Sequence, residues 1–200
     1  MPATRVRHVP AKNGEGKIEP FVTDVKELRR RAAQHMEKGA ITANYEGATR
    51  QTVDILQAVL ATELVCVLRY TVHAITATGI DSDSVKREFE EHAKDEQTHV
   101  MMVANRIDQL GGNPNFDPSG LTTRSVTQYA EGADLVDKIK EDLIAERIVV
   151  EHYRDLIRYF GTKDPSTRLM LETILAVEED HATDMHDLLV AHEGTPFLAK

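Results

Sequence analysis

The sequence predicts an all-α protein: a four-helix bundle with a long crossover between its second and third helices, plus a short N-terminal helix. Three observations predict it. Four stretches carry apolar residues at alternating steps of three and four, the pattern of a bundle seam. The links within the first and last pair are short, whereas the middle link runs to about twenty residues. Each seam also carries a glutamate near its middle, where an ordinary core tolerates none.

Composition narrows the class. The 200 residues suit one domain with an added terminal segment, and 41% apolar with 28% charged content describes a globular chain rather than a disordered one. A formal charge of -9 disfavours nonspecific nucleic-acid binding by the body of the domain and suits attraction of cations. The single cysteine, Cys66, rules out an internal disulfide framework, a cysteine zinc site and a four-cysteine iron site. It fits a reducing compartment. No run approaches 18 consecutive apolar residues and no secretory pattern opens the chain, so a cytoplasmic protein with no membrane partner is expected.

In chain order, residues 1–22 read as a flexible basic arm. Pro2, Pro10, Gly14, Gly16 and Pro20 interrupt it, and Arg5, Arg7, Lys12 and Lys17 stand against Glu15 and Glu19, a balance of four minus two, or +2. Residues 23–45 hold a short amphipathic helix from Asp24 to Lys38, with Val25, Leu28, Ala32 and Met36 in register and Gly39 as its stop, followed by a linker. The bundle occupies 46–192. Its first seam is Val53, Leu56, Leu60, Glu63, Val67, Tyr70, Ala74; its second is Val85, Phe89, His92, Glu96, His99, Val103. The third is Leu135, Ile139, Asp142, Glu146, Val149, Tyr153, Leu156, Phe160; the fourth is Leu171, Ile174, Glu178, His181, Met185, Leu188. Asp164-Pro165 supplies an N-cap and a proline at the first helical position. Gly111-Gly112-Asn113-Pro114 ends the second helix, the third begins near Gly132, and Leu121 to Tyr129 suits a small helix between them. Twenty extended residues at ~3.3 Å each span a helix of ~39 Å, so the second and third helices are expected to run parallel. The fourth helix is expected to reach about Ala191, leaving 193–200 as a tail.

Glu96-Gln97-Thr98-His99 and Glu178-Glu179-Asp180-His181 each place a carboxylate and an imidazole one turn apart on one face. With the solitary Glu63 and Glu146 they complete the donor set of a carboxylate-bridged two-metal site in a bundle. Four carboxylates also neutralise two divalent ions. Oxygen donors with two imidazoles suit iron or manganese, and zinc competes. Tyr70 and Tyr153 each follow a solitary glutamate by seven, a weak internal repeat that predicts a pseudo-twofold site. Both tyrosines suit either core packing or electron donation. Asp142 suits either a hydrogen bond to a ligand histidine or a solvent-facing place. His92, with Glu91 and Asp95, forms either a satellite metal site or a polar surface cluster. Cys66 reads as a small packing residue and Arg29 to Arg31 as a solvated face or subunit contact. His73, His152 and His186 follow no usable pattern.

At these residues the chain resembles the ferritin superfamily, closest to bacterioferritin-like proteins, over roughly Thr52 to Val190. Leu60-Ala61-Thr62-Glu63-Leu64-Val65 with Tyr70, Glu96-Gln97-Thr98-His99, Asp142-Leu143-Ile144-Ala145-Glu146, and Ile174 to His181 are similar to the family's four helix motifs. The resemblance implies a ferritin-like fold and a di-iron ferroxidase centre that oxidises Fe(II) with dioxygen or hydrogen peroxide and stores ferric mineral in a shell. It implies Glu96 and Glu178 as bridges, Glu63 and Glu146 as terminal ligands, His99 and His181 on one iron each, Tyr70 as a nearby electron donor and Asp95 facing the cavity. Gln97 replaces the methionine that binds haem in bacterioferritin, which speaks against haem in that mode. The long crossover and the absence of an evident fifth helix favour a Dps-like homo-oligomeric cage of 12 subunits over one of 24. Alternatives are a non-storage di-metal oxidase or manganese catalase, and a DNA-protecting nucleoid protein that uses the arm. A rubrerythrin-type peroxidase lacks the cysteines for its second iron site.

Overall fold

The computed structural model of the protein describes residues 5–12, 18–79 and 82–193. Residues 1–4 and 13–17 of the predicted arm and the predicted tail from 194 onward lie outside them. The chain divides into two compact units, Met1–Tyr45 and Glu46–Lys200.

In the first unit the expected loose arm is instead a two-stranded antiparallel hairpin, β1 (Arg5–Lys12) and β2 (Ile18–Asp24). Alternation through Arg5-Val6-Arg7-His8-Val9 and the run Phe21-Val22-Thr23 suit extended backbone. Pro10 and Pro20 fall in the irregular step between His8 and Ala11, where the ladder loses nothing by their missing N–H. Helix α1 (Val25–Ala32) follows, capped by the Asp24 carboxylate, which accepts from the amides of Lys26 at 3.0 Å and Glu27 at 3.1 Å. It stops before the predicted Lys38. His35 takes left-handed backbone (φ 54°), and only a 3₁₀ turn, Met36–Lys38, remains. None of the α1 residues is buried, so no packing pays for a longer helix.

The second unit is the predicted all-α bundle. Its long helices are α2 (Thr49–Thr76), α3 (Ser82–Gln109), α5 (Leu135–Phe160) and α6 (Pro165–Glu193), with a four-residue α4 (Leu121–Arg124) inside the crossover. Asp164 caps α6, accepting from the Thr167 amide at 3.0 Å and its hydroxyl at 2.6 Å. Directions follow from side-chain contacts. Arg106, late in α3, donates to Asp164 and Thr167 at the start of α6, each at 2.9 Å. Arg69 and His73, late in α2, meet Asp142, early in α5. Both pairs are therefore antiparallel, and α3 runs parallel to α5.

The crossover gets its path from α2. Gln57 donates to the Asn113 carbonyl at 2.8 Å and accepts from the Asn115 amide at 3.0 Å. Thr62 accepts from the Val126 amide at 3.0 Å. Arg69 donates to the Gln128 carbonyl at 3.3 Å, and His73 Nε2 lies 3.1 Å from the Ala130 carbonyl. The link thus climbs about 24 Å along α2, at ~1.5 Å per helical residue, with its backbone polar groups satisfied by that helix. Gly132 (φ 64°) closes it, where a Cβ would meet the Lys138 amide nitrogen at 2.6 Å.

Helix α2 is apolar and long enough by composition to cross a membrane, but 56% of that stretch is buried inside the bundle. It is the core helix here. Tyr70, Ala74, Val85, Phe89, Ile139, Met185 and Leu189 pack one end of the bundle. Beside them lies a fully buried ionic triad: Asp142 meets Arg69 Nε and His73 Nδ1, each at 2.7 Å. Asp142 is thus neither a partner of a ligand histidine nor solvent-facing. Burial opposes the charge on Arg69, but Cys66, Asp142 and Glu146 outweigh it and hold the guanidinium protonated.

Asp142→Ala leaves Arg69 buried without its counter-charge. It is expected to cost roughly 3–5 kcal/mol in chemical denaturation, with proteolysis appearing first in residues 113–130. Asp142→Asn, which keeps one hydrogen-bond acceptor, should cost less.

Candidate metal centre

All six predicted donors come together in one buried layer, none more than 3% exposed. Each sits near the middle of its helix, where the seam turns every third or fourth residue inward. Ligating atoms of Glu63, Glu96, His99 and Glu178 all lie within 4.8 Å of one another, as do those of Glu96, Glu146, Glu178 and His181. Each group holds three carboxylates and one imidazole. Only Glu96 and Glu178 belong to both.

His99 Nδ1 lies 3.0 Å from Glu178, 3.4 Å from Glu96 and 3.5 Å from Glu63. His181 Nδ1 lies 3.5 Å from both Glu96 and Glu178, while its Nε2 faces Asp95 at 3.5 Å. Tyr70 donates to Glu146 Oε1 at 2.6 Å. Well-directed hydrogen bonds are otherwise scarce. Both oxygens of Glu63, both of Glu178, Oε1 of Glu96, Oε2 of Glu146 and Nδ1 of His181 are buried without one. Buried polar atoms are seldom left so. Seven converging orphans are the chemistry of a cation site, and the oxygen-rich set suits iron or manganese.

Electrostatics agree. Burial, then Glu96 and Glu178, push the Glu63 carboxyl well above its ordinary range. Burial, then Glu178 and Glu96, do the same to Glu146. Burial opposes protonation of His181, but Glu178 and Glu96 outweigh it and push the imidazole up to about 11. His99 is raised likewise by Glu178, Glu63 and Glu96 against burial. Glu96 goes the other way: burial would raise it, but the neighbouring imidazoles of His181 and His99 hold it low. Without a cation the cluster therefore holds protons.

A ferritin-like domain model matches residues 53–193. The chain belongs to the ferritin-like family. Among its relatives is a DNA protection during starvation protein of Pyrococcus furiosus, 26% identical over 72% of this chain and 80% of the relative. A nutrient stress-induced DNA-binding protein of Synechococcus sp. is 30% identical over 67% of this chain and 78% of the relative. A solved dodecameric thioferritin, the bacterioferritin-related protein of Bacteroides fragilis, superposes with a TM-score of 0.71 at 30% identity, covering 76% of this chain and 94% of its own. Within its family the chain is Dps-like.

Gln97 lines an open groove on α2 and α3 with Val67, Thr71, Ala74, Ile75, Glu90, Ala93 and Lys94, and it brings no sulfur ligand there. Tyr153, the repeat partner of Tyr70, is fully buried with its hydroxyl unpartnered. Arg69 and His73 were not legible as site supports. The only signal was a charged residue inside the most apolar helix, four residues before a histidine. The buried Cys66 sulfur accepts from Arg69 Nη2 at 3.6 Å and lies 4.0 Å from the Thr127 hydroxyl.

A carboxyl or imidazole whose folded pKa is raised contributes stability that is complete below its unfolded pKa and is lost as pH rises through the folded value. Glu63, Glu146, His99 and His181 all carry that sign. Glu96 carries the opposite one, and its contribution is already complete above the ordinary glutamate range. Chelator-stripped protein is therefore expected to lose thermal stability as pH rises above roughly 4.5, where the raised carboxyls begin to lose their contribution, and on through about 11 at His181, and Glu63→Gln should flatten the decline. Scanning calorimetry across that range checks it. A flat profile would contradict the proton-holding cluster.

Proposed function

We propose that the protein is a di-iron ferroxidase of an iron-storing cage. The observation that carries this reading is the pair of overlapping donor groups sharing Glu96 and Glu178. In this reading those two carboxylates bridge, Glu63 and Glu146 are terminal, and His99 and His181 each serve one Fe(II). The four carboxylates balance two substrate ions. Each Fe(II) gives up one electron. Dioxygen takes the two electrons with two protons to leave hydrogen peroxide, or hydrogen peroxide takes them with two protons to leave two waters. Tyr70 holds Glu146 in place through its hydroxyl and stands close enough to supply an electron. Asp95 orients His181 through Nε2 and keeps Nδ1 turned to the carboxylates.

Twelve subunits are favoured because the Bacteroides fragilis neighbour is dodecameric. Such a cage has a mass of about 270 kDa, twelve times 22.4 kDa. Purified protein is expected at that mass by native mass spectrometry and, after aerobic Fe(II) loading, to hold far more than two irons per subunit. A dimer that saturates at two metals would instead mark a non-storage di-metal oxidase or manganese catalase. Glu96→Ala and His181→Ala are each expected to cut Fe(II) oxidation on the order of 100-fold. Wild-type rates in both would refute the centre.

A second role, DNA protection, is favoured by the names of the two curated relatives. Of the arm's four basic residues, Arg5, Arg7 and Lys12 lie in the β1 sequence, against a whole-chain charge of -9. Binding through so few charges would be weak and salt-sensitive. Gel retardation at low salt that disappears on deleting residues 1–22 is the expected outcome; no retardation of the full chain at low salt would remove this role.

A further inference from the structure

We infer that a third divalent-cation site, formed by His92, Glu88 and Asp184, lies one helical turn beyond the proposed di-iron centre along the α3–α6 seam. Ligating atoms of these three residues converge within 4.8 Å. Glu88 and His92 are i and i+4 on α3, and Asp184 follows His181 by three on α6, so antiparallel packing brings them face to face. His92 is 2% exposed, while the Glu88 and Asp184 side chains are 36% and 47% exposed. The site is therefore a buried imidazole at the base of a solvent-reachable carboxylate pair.

Two carboxylates beside a histidine are not by themselves a site, and the state of His92 is what singles this one out. Its Nδ1 is buried without a partner. Its Nε2 points between Glu88 Oε1 at 3.4 Å and Asp184 Oδ2 at 3.5 Å. Both distances exceed an ordinary N–H···O bond of about 2.7–3.2 Å. They match the separation of two donors that share one ion: bonds of ~2.0–2.2 Å at a tetrahedral angle put the donors roughly 3.3–3.6 Å apart. Among the described residues, no lysine or arginine forms an ion pair with either carboxylate. Burial, then Asp184 and Glu91, raise the Glu88 carboxyl, and burial, helped by Asp180, Asp187 and Glu91 against His181, raises that of Asp184.

The donor set, one imidazole and two carboxylates with open positions toward solvent, suits Fe(II), Mn(II), Co(II) or Zn(II) rather than calcium or magnesium. The site also touches the proposed centre. The His92 ring stacks on His181 with centroids 3.9 Å apart, and it meets the Tyr70 ring edge-on at 5.1 Å. The internal repeat offers no copy of it: the α6 position equivalent to His92, four before the bridging glutamate, is Ile174, a buried core residue. A cation here would sit on one side of the bundle only.

The test is Co(II) and Zn(II) stoichiometry on the whole protein, by equilibrium dialysis with elemental analysis and, for Co(II), visible absorption. Neither ion is turned over, so binding is read apart from oxidation. Wild type is expected to hold three ions per subunit. The double variant Glu88→Gln/Asp184→Asn changes exposed residues and should hold two; His92→Ala should match it. Glu63→Ala/Glu146→Ala should keep the Co(II) band assigned to the third site. Two ions in wild type, or three in Glu88→Gln/Asp184→Asn, would overturn the inference. A single ion in wild type that is lost in Glu88→Gln/Asp184→Asn would uphold this site while refuting the di-iron reading.

Discussion

Four carboxylates in one dry layer of a helical bundle set the terms for the rest of the molecule. Taking such groups from water costs kilocalories each, and placing them within a few ångströms adds repulsion. The layer answers partly with protons: Glu63 and Glu146 are held neutral and His99 and His181 charged. The remaining answer is a cation, because two imidazoles cannot supply well-directed hydrogen bonds to all the orphaned oxygens. A stabilised apolar core at both ends of the bundle carries this expensive middle.

Holding the layer together requires the four helices to keep register. Along the chain the two hairpins are joined through the crossover, and the crossover is bound to α2 by polar side chains. Asp142 links Arg69 and His73 of α2 to α5 within two turns of Glu146. Tyr70 then joins α2 to Glu146 itself. A buried ion pair is a poor source of net stability, but breaking one is costly, which makes it a good lock on register.

The internal repeat is real in spacing and incomplete in chemistry. Glu63 and Glu146 occupy matching places, as do the two Glu-x-x-His turns. Tyr70 finds a carboxylate whereas Tyr153 leaves its hydroxyl unpartnered. His92 stacks on His181, and Ile174 stands where a symmetric counterpart would be. The two halves of the centre therefore see different surroundings, and ions bound there need not be equivalent.

The sequence by itself determined the all-α bundle, the parallel crossover and the six inward donors. Each of these is written in a period of three and four residues, and a glutamate in phase with leucines has nowhere else to point. Asp164-Pro165 likewise declared the start of α6. The tertiary structure alone decided which groups pair across helices. Asp142 became the anion of a buried triad, and His92, left between a satellite site and a surface cluster, came to rest on His181 with Asp184 of α6 opposite. Such pairings depend on rotation and axial offset between helices distant in the chain, which a helical period leaves free. The hairpin of β1 and β2 is not legible in the sequence because two prolines mask its alternation, and α1 ends early because no buried face extends it.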